Sequence, residues 1–269
     1  MDKRLKKQWV ISCISCAMLL ATSAQADQWV MALAYEYESG EYSSDLETEV
    51  TTIPVALEYY GESWSFAVEV PYITITGDSE RIPGSDGGSM GHGMGSSGGG
   101  GSSTIQSVTR SGLGDASVSA TRAFFPKQSG DFFYKVGASI KLPTANEDKN
   151  LGTGETDFSF KLAISNEYGY WLPGLSVGYQ ITGDRADTDF NDVLFYSIGT
   201  GYQLPNYTVI GIGYDFKQAL SDDDDDFAAI TIDLSHELEN RSKLGVAFKS
   251  GLTDNSPDYG FSLSWAMPL

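Results

Sequence analysis

Cysteine and histidine are scarce in this 269-residue chain, and their positions exclude several kinds of chemistry. Both cysteines, Cys13 and Cys16, lie within the first 26 residues, and the two histidines are His92 and His236. If that first segment is removed, the rest of the chain has no thiol, which excludes disulfides, thiolate nucleophiles and cysteine-ligated metals. A catalytic site that needs histidine would have only two positions to draw on.

Residues 1–26 have the pattern of a secretory signal peptide. A net basic start is followed by the apolar run WVISCISCAMLLA and by SAQA, whose small-x-small ending favours cleavage after Ala26. The apolar run is too short for a membrane anchor. Lipid attachment at Cys13 or Cys16 is an alternative, but the run continues past both cysteines, which favours simple cleavage.

Basic residues are also scarce in the predicted mature chain. Residues 1–26 hold four of the 17 basic residues and one of the 36 acidic residues, so residues 27–269 carry 13 basic and 35 acidic residues, a net charge of −22. This balance argues against nucleic acid as a partner, since affinity for it comes mainly from cationic contacts to phosphate. No apolar run reaches the roughly 18 residues of a transmembrane helix. The length fits a single large domain.

Alternation of apolar and polar residues dominates residues 27–269. In DFSFKLAIS, at 157–165, phenylalanine, leucine and isoleucine alternate with serine, lysine and alanine, as the two faces of a β-strand require. Helical periodicity is absent. The alternation predicts an all-β chain of twelve strands, near residues 28–39, 50–61, 63–77, 113–126, 132–143, 156–168, 175–183, 193–204, 208–219, 227–239, 243–252 and 259–269.

The rhythm of the connections favours a transmembrane β-barrel over a soluble sandwich. Links after odd-numbered strands are long, whereas links after even-numbered strands are short, such as GES at 61–63. Antiparallel up-and-down barrels of the bacterial outer membrane have short periplasmic turns and long extracellular loops. On this assignment one periplasmic aromatic girdle contains Trp29, Trp64, Trp171 and Trp265.

The polar face of the predicted strands carries charges of both signs. They fit a water-filled lumen, whereas a lipid-facing basic residue at mid-depth costs about 2–4 kcal/mol. The candidate pore-lining residues are Glu36, Glu58, Glu69, Asp115, Lys135, Lys141, Asp157, Lys161, Asp215, Lys217, Asp233 and Lys249. Such charges either create a transverse field that selects solutes or pair with one another across a narrow lumen. Arg122 is the exception, because parity places it on the lipid face near the periplasmic end, where it can snorkel.

Two segments resemble a known family. The chain has G-L-G-D at 112–115, K-L-P-T at 141–144, then an acidic loop closed by L-G-T-G at 151–154 and a new strand at Asp157. Over residues 111–168 this pattern resembles the outer-membrane β-barrels, often labelled transporters, that are named for a role in the meta pathway of phenol degradation. The resemblance implies passage of small, aromatic or hydrophobic compounds across the outer membrane. It brings no catalytic or binding residues with it.

The long loop predicted at residues 79–111 is a departure from the family pattern. Ten of the 18 residues from 84 to 101 are glycine, which predicts a flexible tether or a plug that folds into the pore. The alternative is a soft-metal site, because Met90, His92 and Met94 offer thioether and imidazole ligands that suit Cu(I).

A run of aspartates marks another predicted extracellular loop. The extracellular loops together hold 20 acidic and four basic residues, and the densest run is Asp222, Asp223, Asp224, Asp225 and Asp226. It predicts a rim that attracts cations or holds Ca²⁺, although no defined calcium-loop spacing is present.

The histidines disfavour an enzyme. His236 lies on the apolar face of its predicted strand, and the neighbouring Ser235 points the opposite way. We therefore predict no enzyme and no resident cofactor. Two functions stay open: a passive or gated channel for small solutes with an acidic extracellular mouth, and a non-conducting surface barrel whose loops bind cations, metal or lipopolysaccharide. Outer-membrane lipid and lipopolysaccharide are expected partners in either case.

Overall fold

The computed structural model describes residues 27–42, 46–78, 81–82, 95–96, 107–126, 131–184, 190–222 and 224–269. The predicted signal peptide, the stretch Met90-Gly91-His92-Gly93-Met94 and Asp223 lie outside these residues. The strands are β1 Gln28–Gly40, β2 Thr48–Tyr60, β3 Trp64–Asp78, β4 Arg81–Ile82, β5 Gly95–Ser96, β6 Ser107–Leu113, β7 Ala116–Phe124, β8 Phe133–Leu142, β9 Asp157–Ser165, β10 Trp171–Ile181, β11 Val193–Leu204, β12 Thr208–Lys217, β13 Phe227–Glu237, β14 Lys243–Gly251 and β15 Tyr259–Pro268. A short 3₁₀ helix spans Glu147–Lys149. No helix of the described residues is long and apolar enough to cross a membrane.

The strands close into one antiparallel barrel. β1 pairs with β2 on one side and with β15 on the other, and the remaining neighbours follow chain order around the sheet. β6 and β7 both pair with β3, so together they form the fourth of twelve barrel strands. β4 and β5 form a separate two-stranded pair. The predicted twelve-stranded antiparallel barrel is confirmed.

A β-bulge separates β6 from β7. Leu113 pairs with Tyr72 and Ser117 pairs with Glu69, so three residues of one strand lie opposite two residues of β3. The Gly114 N–H donates to the Pro71 carbonyl at 2.9 Å. Because proline has no N–H to offer the ladder here, an extra residue is accommodated at this point.

The fourth barrel strand begins earlier than the sequence indicated. The alternation pattern predicts a loop at residues 107–111, and this is wrong, because β6 pairs Ser107–Leu113 with the far end of β3. This half-strand reads S-V-T-R-S-G-L, which lacks apolar alternation, since its only large apolar residues are Val108 and Leu113. A strand that extends beyond the hydrocarbon region has no need of an apolar face, so periodicity alone could not reveal it.

The outer surface of the barrel is apolar, the inverse of a soluble protein. Large side chains such as Phe160, Ile212 and Phe248 are 50–54 % exposed on the outside, while their neighbours in each strand face inward. The four predicted girdle tryptophans also lie on the outer face and are 38–50 % exposed. Trp29 packs against Tyr59, with ring centroids 5.1 Å apart. This surface matches the band that a bilayer covers.

The two ends of the barrel differ in their connections. At one end, the short-turn end, the links between strands have three to eight residues, at 61–63, 125–132, 166–170, 205–207 and 238–242. At the other, the long-loop end, they have seven to 28 residues, at 41–47, 79–106, 143–156, 182–192, 218–226 and 252–258. All four girdle tryptophans lie nearer the short-turn end, as the periplasmic assignment predicts.

Candidate functional site: the barrel lumen

All twelve charged residues that the sequence assigned to the lumen lie on the inner face of the barrel. Lys141, for example, is 3 % exposed between Ile140 and Leu142, which are both 39 % exposed. The inward position of Asp115 depends on the bulge at residues 114–115, because without it the residue two positions after outward-facing Leu113 would also face outward. That these residues line a conducting pore stays a prediction.

Lys141 is the centre of a buried polar cluster at the long-loop end. Its Nζ lies 3.2 Å from Asp115 Oδ2 and 3.0 Å from Asp157 Oδ2. It also donates to Thr153 Oγ1 at 2.6 Å. We call these four residues the Lys141 cluster. A buried ammonium group is costly unless it is paired and hydrogen-bonded, and here three oxygen acceptors surround it.

The two carboxylates of the Lys141 cluster are also held by other groups. Asp157 accepts from Gln180 Nε2 at 3.1 Å and from the Gly183 N–H at 3.0 Å. Asp115 Oδ1 accepts from the Ala145 N–H at 2.9 Å. The cluster therefore joins β8, β9, β10 and the bulge next to β7 to the long loop of residues 143–156.

That loop, which we call the mouth loop (residues 143–156), folds into the barrel. Leu151 is 1 % exposed and belongs to an apolar cluster with Tyr42, Val50, Ile73 and Ile75, which we call the Leu151 cluster. Val50, Ile73 and Ile75 are inward-facing residues of β2 and β3. The loop follows β8, and it crosses the inner face of β6 to contact β3, which is two barrel strands away from β8.

Two glycines allow this close approach. A Cβ atom built on Gly112 would lie 2.9 Å from Leu151 Cδ1, and one built on Gly152 would lie 2.5 Å from Asp115 Oδ2. Both contacts are shorter than real side-chain contacts. The G-L-G-D and L-G-T-G segments, which carried the family resemblance, therefore meet in space as the two sides of one packing contact.

A second ion pair joins the two strands that flank β15. Lys249 Nζ of β14 lies 2.5 Å from Glu38 Oε1 of β1, and it stands 5.9 Å from the centroid of the Phe227 ring. Nearby on the inner face, Thr231 Oγ1 donates to Asp215 Oδ2 at 3.5 Å. Lys249 and Glu38 are thus paired within the wall rather than projected into open water.

Part of the lumen lining between the two ends is less enclosed. Inward-facing residues near the middle of β8, β9, β14 and β15 are small and only half-buried: Gly137, Ser139, Ser159, Ala163, Gly245, Ala247, Ser262 and Ser264. Lys135 and Lys161 share this half-exposed lining. Glu69 of β3 lies within electrostatic range of Glu58 of β2 and Glu36 of β1. One wall is acidic and another basic, as a transverse field requires.

The aspartate run makes local contacts at the long-loop end. Asp222 accepts from Asn191 Nδ2 at 2.8 Å, and Asp226 accepts from the Ala219 N–H at 2.9 Å. The Asp225 carbonyl accepts from Asn255 Nδ2. Among the described residues, no group of three or more histidine, cysteine, aspartate or glutamate side chains converges to hold a metal ion. The cation rim stays a prediction about charge, without a defined site in the described part of the run.

His236 lies on the outer face, as its parity indicated. Its Nδ1 lies 2.8 Å from Thr208 Oγ1 of the adjacent strand, and Ser235 faces the other side of the wall.

The residues that sequence reasoning missed are those of the Leu151 cluster. The only signal for them is the L-G-T-G segment, where a single leucine stands among glycine and polar residues in a loop.

Comparison with known proteins gives the chain a family and a fold. Residues 27–266 match the family described as "Putative MetA-pathway of phenol degradation". An outer-membrane channel of Pseudomonas putida F1 is similar in structure, with a TM-score of 0.66 at 15 % identity over 91 % of this chain and 96 % of that chain. The translocator domain of the autotransporter NalP from Neisseria meningitidis is also similar, with a TM-score of 0.52 at 10 % identity over 91 % of this chain and 89 % of that chain. A search of curated proteins finds no match. The fold is that of bacterial outer-membrane barrels.

Proposed function

Since the chain belongs to the phenol-degradation MetA-pathway family, we propose that it is an outer-membrane channel for the passive or gated uptake of small solutes, aromatic and hydrophobic compounds among them. The protein resides in the outer membrane, where its apolar exterior contacts lipid. Transport across that membrane by diffusion needs a lumen, a lining and a size limit, and each has a structural counterpart in the barrel.

The observation that carries the proposal is the half-exposed inner lining between the two ends of the barrel, on β8, β9, β14 and β15. Twelve strands enclose a lumen between the packed interior of the smallest barrels and the wide channel of porins. Here the half-buried lining of these four strands consists of glycine, alanine and serine, which leave space, together with Lys135 and Lys161. A barrel that served only as a surface scaffold would have no need of a solvated interior.

The aromatic part of the proposal rests on the family. Phenol-type compounds are small, largely uncharged and carry one polar group, so they can pass a narrow lumen that has hydroxyl groups on its wall. Ser139, Ser159, Ser262 and Ser264 supply such hydroxyls. The channel of Pseudomonas putida F1, which shares the fold, supports transport as a role of this architecture.

The test measures conductance and uptake together. Purified protein is inserted into planar bilayers, and radiolabelled phenol uptake is compared in porin-deficient cells with and without the protein. We expect discrete current steps and faster phenol uptake. A correctly folded barrel that gives neither current nor uptake would contradict the proposal.

No catalytic group or cofactor is needed for this function. The outward position of His236 and its bond to Thr208 support a role at the membrane interface. A hydrolytic role would predict release of acyl chains from phospholipid vesicles, which a simple assay of free fatty acid detects.

Contact with lipopolysaccharide through bridging cations is a second part of the proposal. It is supported by the exposed carboxylates at the long-loop end, among them Asp222, Asp225 and Asp226. Chelation of divalent cations is then expected to release lipopolysaccharide that copurifies with the protein. Unchanged copurification after chelation would remove this part and leave the channel untouched.

A further inference from the structure

The mouth loop covers inward-facing wall residues that an open pore would expose. Ile75 is 0 % exposed and Val50 is 2 % exposed, although both point into the lumen. At the short-turn end of β3, the strand that holds Ile75, the inward-facing residues Ser65 and Ala67 are half-buried. Leu151 packs against this wall together with Tyr42, and it is the residue by which the mouth loop covers it.

Polar anchors hold the mouth loop on both sides of Leu151. Before it, the Ala145 N–H donates to Asp115 and Lys149 Nζ donates to the Ser111 carbonyl at 3.3 Å. After it, Thr153 accepts from Lys141. A loop that merely rested on the rim would not be joined at both ends to groups inside the barrel.

The sequence of the mouth loop is adapted to a fixed shape. Asn146 caps the 3₁₀ helix through its side-chain oxygen, and Asn150 ends it in the left-handed conformation with φ 49°. Asparagine tolerates that conformation better than most residues. Leu151 follows directly after Asn150, so the conformation of this cap directs the Leu151 side chain towards β2 and β3.

We propose that the mouth loop is the constriction of the channel, with Leu151 as the side chain that narrows it and Lys141 as the residue that positions it. This inference rests on the proposed function. It assigns the constriction to residues 143–156 instead of the glycine-rich stretch 84–103. Apolar constrictions slow hydrated ions because water leaves them readily, so this one favours small uncharged solutes.

The first test compares single-channel conductance of the wild type, Leu151→Ser and Lys141→Met. Leu252→Ser is the matched control, because it removes a leucine from another link at the long-loop end, where the side chain is 53 % exposed. We expect Leu151→Ser and Lys141→Met each to raise the single-channel conductance at least about twofold over the wild type, since a narrow apolar segment limits current. The control should raise the conductance by less than that. Heat-modifiable migration on gels confirms that each barrel is folded.

The second test is independent of conduction. Residues 27–269 contain no cysteine, so Ile75→Cys provides a single thiol behind the loop. We expect slow labelling by a small membrane-impermeant thiol reagent in the wild-type background and about tenfold faster labelling with Leu151→Ser, because reaction follows the population in which the loop is open. Ser139→Cys, on the half-exposed lining, is the control and should react at the same rate in both backgrounds.

The outcomes separate the two proposals. Equal conductance in wild type and loop variants, or equal labelling of Ile75→Cys with and without Leu151, overturns the constriction. If no variant conducts or admits phenol while labelling still responds to Leu151→Ser, the channel function is overturned and the covering role of the loop stands.

Discussion

Arg122 lies directly opposite Trp64 across the β3–β7 pair, with its guanidinium carbon 5.5 Å from the centroid of the indole ring. The same carbon lies 5.1 Å from the centroid of the Phe124 ring. Arg122 is the basic side chain that the described barrel strands present to the lipid, and it sits within the aromatic belt of the short-turn end. The belt therefore accommodates a cation at the membrane interface through ring contacts.

The energetic cost of an arginine on the outer face should depend on its depth in the membrane. Arg122→Met is expected to cost about 0.5–1 kcal/mol, the range of an exposed cation–π contact. Val118→Arg, on the same face but deeper in the strand, is expected to cost about 2–4 kcal/mol. The measurement is the free energy of unfolding in urea for protein folded into vesicles. Equal costs at the two depths would contradict the interfacial assignment.

Removal of one carboxylate from the Lys141 cluster should destabilise the barrel. Asp157→Asn is expected to lower the free energy of unfolding by about 3 kcal/mol, because a buried ammonium loses a charged partner. Asp222→Asn, at an exposed aspartate, is the control and should change it by less than about 0.5 kcal/mol. In the double variant Asp157→Asn with Lys141→Met, the cost should be smaller than the sum of the single costs. Additive costs would show that the two groups do not interact.

Gly152 should not tolerate a side chain. Its Cβ would lie 2.5 Å from Asp115 Oδ2 and 2.7 Å from Ala145 Cβ, so Gly152→Ala is expected to cost about 1–3 kcal/mol through overpacking. Gly174→Ala is the matched control on the inner face, where the nearest atom is 3.8 Å away. If both variants unfold at the same denaturant concentration, the mouth loop is not packed against the bulge as described.

The orientation of the barrel can be tested from outside the cell. Asp224→Cys, in a link at the long-loop end, should be labelled by an impermeant thiol reagent on intact cells. Asn206→Cys, in the three-residue turn at 205–207, should react only after the outer membrane is made permeable. The reverse pattern would mean that the short turns face outward.

The acidic rim should affect ion preference at low salt. Neutralising Asp222, Asp225 and Asp226 together to asparagine is expected to reduce the preference for cations, measured as the reversal potential in a salt gradient. The effect should fade as salt rises, since the Debye length falls from about 10 Å at 0.1 M to about 3 Å at 1 M. A preference that is unchanged at low salt would place its origin in the lumen.

The sequence predicts the wall of the barrel well because the wall obeys one local rule. Residues 157–165 alternate strictly, and β9 spans Asp157–Ser165 with its apolar residues outside. The rule fails in β6, whose polar residues lie beyond the apolar band. Local alternation reports where lipid contacts the chain, and it carries no information about strands that rise above the membrane.

The candidate site is less predictable, because it depends on contacts between distant segments. Lys141, Asp115 and Asp157 all lie on the inner face, yet nothing in their spacing shows that one lysine joins both carboxylates. Leu151 offers still less, since one leucine in a polar loop has no periodic neighbours. Its partners Val50 and Ile75 are far away in the sequence, and only the closed barrel brings them together.

At the bulge of residues 114–115, the alternation of inward-facing and outward-facing residues in the fourth barrel strand changes parity. On one side of it odd-numbered residues such as Leu113 face the lipid, and on the other side even-numbered residues such as Val118 do. Deletion of Gly114 would leave Asp115 and Ala116 opposite Pro71 and Val70, so both halves would keep their present faces in one regular strand. The extra residue therefore lets two half-strands of opposite numbering parity present their apolar side chains to the same membrane.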